Sequence, residues 1–314
     1  MRIDNQSPSP AAIAPAAKVT LSAEIISLAS LSGSPHVAAA LADGQVVLWN
    51  GRDPEPGLTL KPHSTRVLAV SATADGQGIW SVAADGSLGR TALTRDAQAV
   101  VKRLETGKAP LRAAVFSFDG ALVITGGDRG EILVFDTATG ALKHRLQGHR
   151  TELHFLAMRP ESLILASASA EADLRVWNLA TGREVLSVDS DVAFFALAFS
   201  PRDGTLASGG VNRRLTLHDP QTMKPTGTLV LQKPRMVTAL AWSPDGDTIA
   251  LGDLDDETLT KGGLQIVDAG SRTVRAHLET GGAPVSAITF VRGSVVIAAL
   301  GRDLRTWELT AAAR

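Results

Sequence analysis

No cysteine occurs in the 314 residues. That removes disulfides, a thiolate nucleophile and cysteine-ligated metal sites, whatever compartment the chain works in. No apolar run reaches the roughly 18 residues that a membrane-crossing helix needs. The start, MRIDNQSPSPAAIAPAAK, has no continuous apolar core before its prolines and does not read as a secretion signal. These absences point to a cytoplasmic chain with no membrane insertion. Excess charge of one sign is missing too: 31 Lys+Arg face 32 Asp+Glu, which argues against nucleic acid as the partner, because affinity for a phosphate backbone needs a basic surface. The patterns G-x-x-x-x-G-K-[ST], H-E-x-x-H and G-x-S-x-G are all absent. No catalytic residue, cofactor or metal is assigned.

What is present is a repeat. Residues 148–178, GHRTELHFLAMRPESLILASASAEADLRVWN, read as a loop histidine, an apolar strand, a turn, a second strand, a tight turn and a third strand ending in Trp177-Asn178. Six further segments can be laid over it, their third strands ending near Trp49, Thr91, Phe135, His218, Val267 and Trp307, so the spacing runs from 40 to 49 residues. A period of roughly 40–45 residues is the signature of four-stranded propeller blades. Seven such units fill the chain. Asp75-Gly76, Asp119-Gly120, Asp203-Gly204 and Asp245-Gly246 mark the first hairpin turns, where Gly supplies positive φ.

The order of elements resembles one unit of the WD-repeat β-propeller family, in a divergent form of bacterial type. The resemblance covers residues 18–311. It implies an all-β fold of seven four-stranded antiparallel blades, closed by an N-terminal strand that completes the last blade. The count agrees: residues 19–22 alternate like a strand surplus to the first blade, and the last blade has only three strands. Residues 1–17, rich in Ser, Pro and Ala, are expected to be a disordered tail.

The resemblance also implies a structural tetrad of loop His, strand Ser, turn acid and Trp. The fourth unit matches at His149, Ser167, Glu171 and Trp177, and the second at His63, Ser81 and Asp85, with Thr91 in place of the Trp. A buried indole N–H needs an acceptor, and a Ser–His–acid relay supplies one. Ser, His and acid in one network also fit a hydrolase, but the family role is structural. Arg129, Asn212 and Phe135 occupy tetrad positions elsewhere, so those units are expected to rely on packing. His144, His149 and His154 fall on an outer strand, a loop and an inner strand and do not converge on a metal. The acidic stretch 253–257 lies where one unit is longest, and reads as a solvated loop rather than a Ca²⁺ loop.

Two functions remain open. One is a non-catalytic scaffold that binds a protein or peptide partner and is itself monomeric within a larger complex. The other is a propeller enzyme or small-molecule binder using the central channel, where the ionisable groups are Arg66, Arg112, His154 and Arg159. The scarcity of inward acids and histidines favours the scaffold. Its partner site is expected on the face made by the second hairpin turns and the loops entering each first strand, at Arg129, Arg150, Arg213, Lys233, Arg235 and Met236, with an acidic or mixed-charge peptide as ligand.

Overall fold

The computed structural model describes every residue except 1–10, 32–33, 74, 95–98, 108–109, 191–192, 212, 232–234, 256, 258, 292 and 311–314. The period seen in the sequence becomes seven antiparallel sheets. Blade 1 comprises Ile25–Ser30, Val37–Leu41, Val46–Trp49 and Leu58–Leu60, and blade 2 comprises Val67–Ala72, Gly78–Ala83, Ser87–Ala92 and Val100–Arg103. Blade 3 holds Leu111–Phe116, Leu122–Gly127, Ile132–Asp136 and Leu142–Leu146, and blade 4 holds Leu153–Met158, Ile164–Ser169, Asp173–Asn178 and Arg183–Asp189. Blade 5 is Phe194–Phe199, Leu206–Gly210, Arg214–His218 and Pro225–Val230, and blade 6 is Arg235–Trp242, Thr248–Asp255, Gly262–Asp268 and Thr273–Leu278. Blade 7 takes Ala287–Val291, Val295–Leu300 and Asp303–Glu308 from the end of the chain and Ala17–Thr20 from its beginning.

In each blade the first strand is innermost, and the seven innermost strands touch in a closed cycle, with Ala287–Val291 packed on Ile25–Ser30. The core lies between neighbouring blades, which is why the second strands are buried on both faces: Val37–Leu41 and Leu206–Gly210 are buried throughout. Trp49, Trp177 and Trp307 end three third strands as large, almost fully buried side chains. Trp177 packs between blades 3 and 4 with Leu146, Leu153 and Leu165, and Trp307 between blades 6 and 7 with Ile266, Leu278 and Val296.

The seam closes as the surplus strand requires. Ala17–Thr20 runs antiparallel to Asp303–Glu308 with Val19 opposite Leu304. Asp303 accepts a hydrogen bond from Thr20 at 2.7 Å and pairs with Lys18 at 2.8 Å, and Arg302 donates to the Leu21 carbonyl at 3.0 Å. The structure adds one strand that composition did not announce. Ala11–Ile13, within the stretch expected to be a tail, pairs in parallel with Ala276–Leu278 on the outer edge of blade 6.

Blade 6 departs from expectation in a second way. The acidic stretch is no loose loop at its start, because Asp253 and Asp255 belong to the strand Thr248–Asp255, and Asp253 is 1% exposed. Extra length went into a longer hairpin, whose register continues to Leu254 opposite Gly262. Gly263 leaves the room Asp253 needs: a Cβ there would stand 2.8 Å from its carboxylate. Asp256 lies outside the described residues.

Candidate functional site

Antiparallel connectivity places the turns between second and third strands, and the loops that enter each new blade, on one face of the ring. Backbone contacts lock the two kinds of loop together. Gly44 O accepts from His63 N, Gly86 O from Leu104 N, Ala172 O from Ser190 N and Arg213 O from Leu231 N. The turn of one blade therefore sits directly on the loop entering the next. At Gly130, φ is 72° and a Cβ would lie 2.5 Å from the His149 carbonyl, so only glycine fits this approach.

Beneath these loops lie the histidines. In blade 4 the Trp177 indole donates to Ser167 Oγ at 2.8 Å, Ser167 donates to His149 Nε2 at 2.6 Å, and His149 Nδ1 donates to Asp173 at 2.8 Å. This order needs a neutral ring, since a proton on Nε2 would leave the Ser167 hydroxyl without an acceptor. Burial pushes His149 below the usual imidazole value even though Asp173 pulls the other way. Burial opposes the Asp173 charge, but hydrogen bonds from Ser169, Arg175 and His149 more than offset that, and it stays below the usual carboxylate range.

The acid in this relay is thus Asp173 and not Glu171. Ala172 adopts φ 64°, and this left-handed residue turns Glu171 out to solvent while bringing Asp173, the first residue of the third strand, under His149. In blade 2 the equivalent position is Ser87. His63 Nε2 accepts from Ser81 at 2.8 Å, Nδ1 donates to Ser87 at 2.7 Å, and Ser87 donates to Asp85 at 2.6 Å. Asp85 therefore reaches its histidine through a second hydroxyl that the sequence pattern missed. Sequence reasoning also missed blade 5, where His218 stands at the third-strand position of Trp177. Its Nε2 accepts from Ser208 at 2.7 Å and its Nδ1 donates to the Met223 carbonyl at 3.1 Å. Burial lowers His63 and His218 as it lowers His149.

The Ser167–His149–Asp173 geometry is that of an acyl-transfer triad, but Ser167 is fully buried and capped by Trp177. No substrate carbonyl can approach its oxygen, so this network holds loops together.

Above the histidines the face is charged. Arg129 and Arg150 are exposed on the abutting turn and loop of blades 3 and 4, Arg213 is exposed on the blade 5 turn, and Arg66 is exposed at the entry to blade 2. Among the described residues none of the four has an ion-pair partner. The structure separates Arg235 from them: its guanidinium is bonded to buried Asp253, which also accepts from Gln265 at 2.6 Å. Met236 is half-buried beside it. Lys233 and Asn212 lie outside the described residues. At the channel mouth, bulges in the innermost strands displace Arg112 and His154. Both are engaged, Arg112 with Asp128 at 2.5 Å and His154 with Glu152 at 3.1 Å. Arg159, at the far end of its strand, donates to the Asp203 carbonyl at 3.2 Å. Among the described residues no group of three His, Asp or Glu side chains could hold a metal ion, and no helix is long and apolar enough to cross a membrane.

Sequence comparison agrees with this geometry. The family model for the WD domain, G-beta repeat, matches residues 223–259, from the last turn of blade 5 into the long hairpin of blade 6. The likeness is to WD-repeat propellers. Protein FIZZY-RELATED 3 of Arabidopsis thaliana is 28% identical over 234 residues, 71% of this chain and 47% of the relative. B-type cell cycle switch protein ccs52B of Medicago truncatula is 29% identical over 69% of this chain and 44% of its own length. The Striatin homolog of Dictyostelium discoideum is 23% identical over 59% and 24%. This chain spans less than half the length of each of these WD-repeat relatives. All three are eukaryotic, which lends no support to a bacterial-type member.

Proposed function

We propose that this chain is a non-catalytic interaction scaffold, and that it grips an acidic or mixed-charge peptide segment of a protein partner on the loop face of blades 2–5. The observation that carries the proposal is the set Arg66, Arg129, Arg150 and Arg213, exposed and without ion-pair partners among the described residues, on turns and loops tied by backbone hydrogen bonds and, at His63 and His149, by the histidine relays. A guanidinium on a fixed loop can take a carboxylate bidentately with little ordering cost. Glu171, exposed on the blade 4 turn of the same face, gives the face a second sign and so favours a mixed-charge ligand. Arg235 is left out of the set because its charge is already used, and half-buried Met236 stands next to it in the chain. Similarity to WD-repeat relatives supports the scaffold reading. The channel alternative has less behind it, since Arg112, His154 and Arg159 are all committed to neighbours. Co-purification with the tagged protein tests the face. Charge reversal at Arg129, Arg150 and Arg213 together should remove the partner, while reversal of Arg202, which pairs with Asp247 on the opposite face, should not. Loss of the partner with the Arg202 change alone would move the site to the other face.

A further inference from the structure

The strand Ala11–Ile13 differs in kind from the other strands among the described residues. Their pairings are antiparallel and within a blade, whereas this one is parallel and joins the outer edge of blade 6. It places Ala11 opposite Ala276, Ala12 opposite His277 and Ile13 opposite Leu278, and the Ile13 carbonyl accepts from Glu279 N at 2.8 Å. Three residues make a short pairing with few main-chain bonds. The chain then crosses to the seam strand Ala17–Thr20, which is anchored independently by Lys18 and Thr20 on Asp303. Lifting Ala11–Ile13 away therefore leaves the ring closed.

The edge under it is open to such an addition. Outer strands with formal charges discourage pairing with foreign strands, and Lys102 and Arg103 in blade 2, Lys143 and Arg145 in blade 3 and Arg183 and Glu184 in blade 4 supply them, while Leu58–Leu60 in blade 1 and Pro225–Val230 in blade 5 carry none. In blade 6 the only permanent charge on the edge strand is Arg275, which is tied to Asp268. Its second half, Ala276-His277-Leu278, is the half that the strand covers. Ile13 also packs against the core cluster of blades 6 and 7 that contains Leu278, Trp307 and Leu309. The site thus has two parts, a ladder of backbone groups and an apolar seat for one aliphatic side chain.

We propose that the outer edge of blade 6 is a docking site for an extended segment of a partner protein, held in reserve by the chain's own residues 11–13. The occupant seen here defines the chemistry of the replacement: an uncharged extended stretch of two small residues followed by a β-branched or aliphatic one, added in parallel, with the aliphatic side chain in the Ile13 seat. Peptide addition to a sheet edge takes its affinity from main-chain bonds and its specificity from such a seat. The internal strand competes at high effective concentration because only three residues, 14–16, separate it from its anchor.

The test uses the full chain and its Ile13→Asp variant, which keeps the segment but places a carboxylate in the apolar seat. The probe is a fluorescent synthetic peptide of residues 9–16, with the same peptide carrying Ile13→Asp as control, read by anisotropy. The variant chain should bind the probe at least tenfold more tightly than the unaltered chain and should not bind the control. Equal binding by both chains, or no binding by a variant that still melts cooperatively, would overturn the proposal. A second variant, with residues 1–14 deleted, should behave like Ile13→Asp. The result is independent of the arginine face, since none of its residues is changed.

Discussion

At the scale of single residues, the buried histidines are the most informative. Each relay places a hydroxyl proton on Nε2 and an acceptor at Nδ1, so removing one member strands the others. His149→Ala should cost on the order of 1–3 kcal/mol, the price of buried polar groups left unpaired, in a chemical denaturation curve. Asp173→Asn should destabilise clearly, and Glu171→Gln should not, because Glu171 is exposed and outside the relay. The pH dependence has a definite sign. His63, His149 and His218 all have folded pKa values lowered from 6.5 by burial. The unfolded chain therefore takes up protons first, and stability present above about pH 6.5 is lost as pH falls below it. Melting temperature should fall from pH 7 to pH 5, and the fall should be smaller in His218→Gln. An unchanged slope in that variant would mean His218 is not held neutral. The lowered carboxylates Asp173 and Asp303 act in a separate window, below about pH 3.8.

At the scale of elements, the hairpin turns separate two effects of glycine. Gly76 and Gly130 both have positive φ, 66° and 72°, but a Cβ at Gly76 meets nothing, whereas one at Gly130 meets the carbonyls of His149 and Thr151. Gly76→Ala should cost only the left-handed backbone penalty, about 1–2 kcal/mol. Gly130→Ala should cost more, since it also pushes the blade 3 turn off the loop that holds His149. Equal costs would show that the loop gives way freely. An Asp-Gly pair announced the turn at Gly76 in the sequence, but nothing local announced the contact at Gly130. That contact depends on how far one blade is rotated from the next, and no local pattern encodes that rotation.

At the scale of the whole molecule, the ring is held by the two ends of the chain. Deleting residues 1–14 removes the short parallel strand and should lower the melting temperature slightly. Deleting 1–23 also removes Ala17–Thr20, exposes the edge of Asp303–Glu308 and should lower it several-fold more. Similar losses from both truncations would show that the seam strand is not the closing element. The two deletions are worth comparing because Arg305 Nε, Thr306 Oγ1 and Trp307 Nε1, consecutive on Asp303–Glu308, the strand that Ala17–Thr20 covers, are buried without hydrogen-bond partners among the described residues. Among the described residues the last blade has no Ser–His relay to receive its tryptophan, and its stability rests more on packing and closure.

The sequence by itself determined the architecture. A hydrophobic strand pattern repeated seven times cannot be buried by one blade alone, so the period, the Asp-Gly turns and the surplus strand at 19–22 together require a closed seven-bladed ring. It also determined which serines and histidines pair in blades 2 and 4, because an 18-residue separation brings a loop His over the second strand of its own blade. Only the tertiary structure decided the rest. The choice of Asp173 over Glu171 depends on one left-handed residue, Ala172. The loss of Arg235 from the charged face depends on a buried carboxylate 18 positions away in a hairpin of unusual length. The place of Ala11–Ile13 depends on an open sheet edge and an apolar seat for Ile13 more than 260 residues further along the chain. Each is a contact between segments whose separation in sequence carries no period, so its energy appears only once the ring has brought them together.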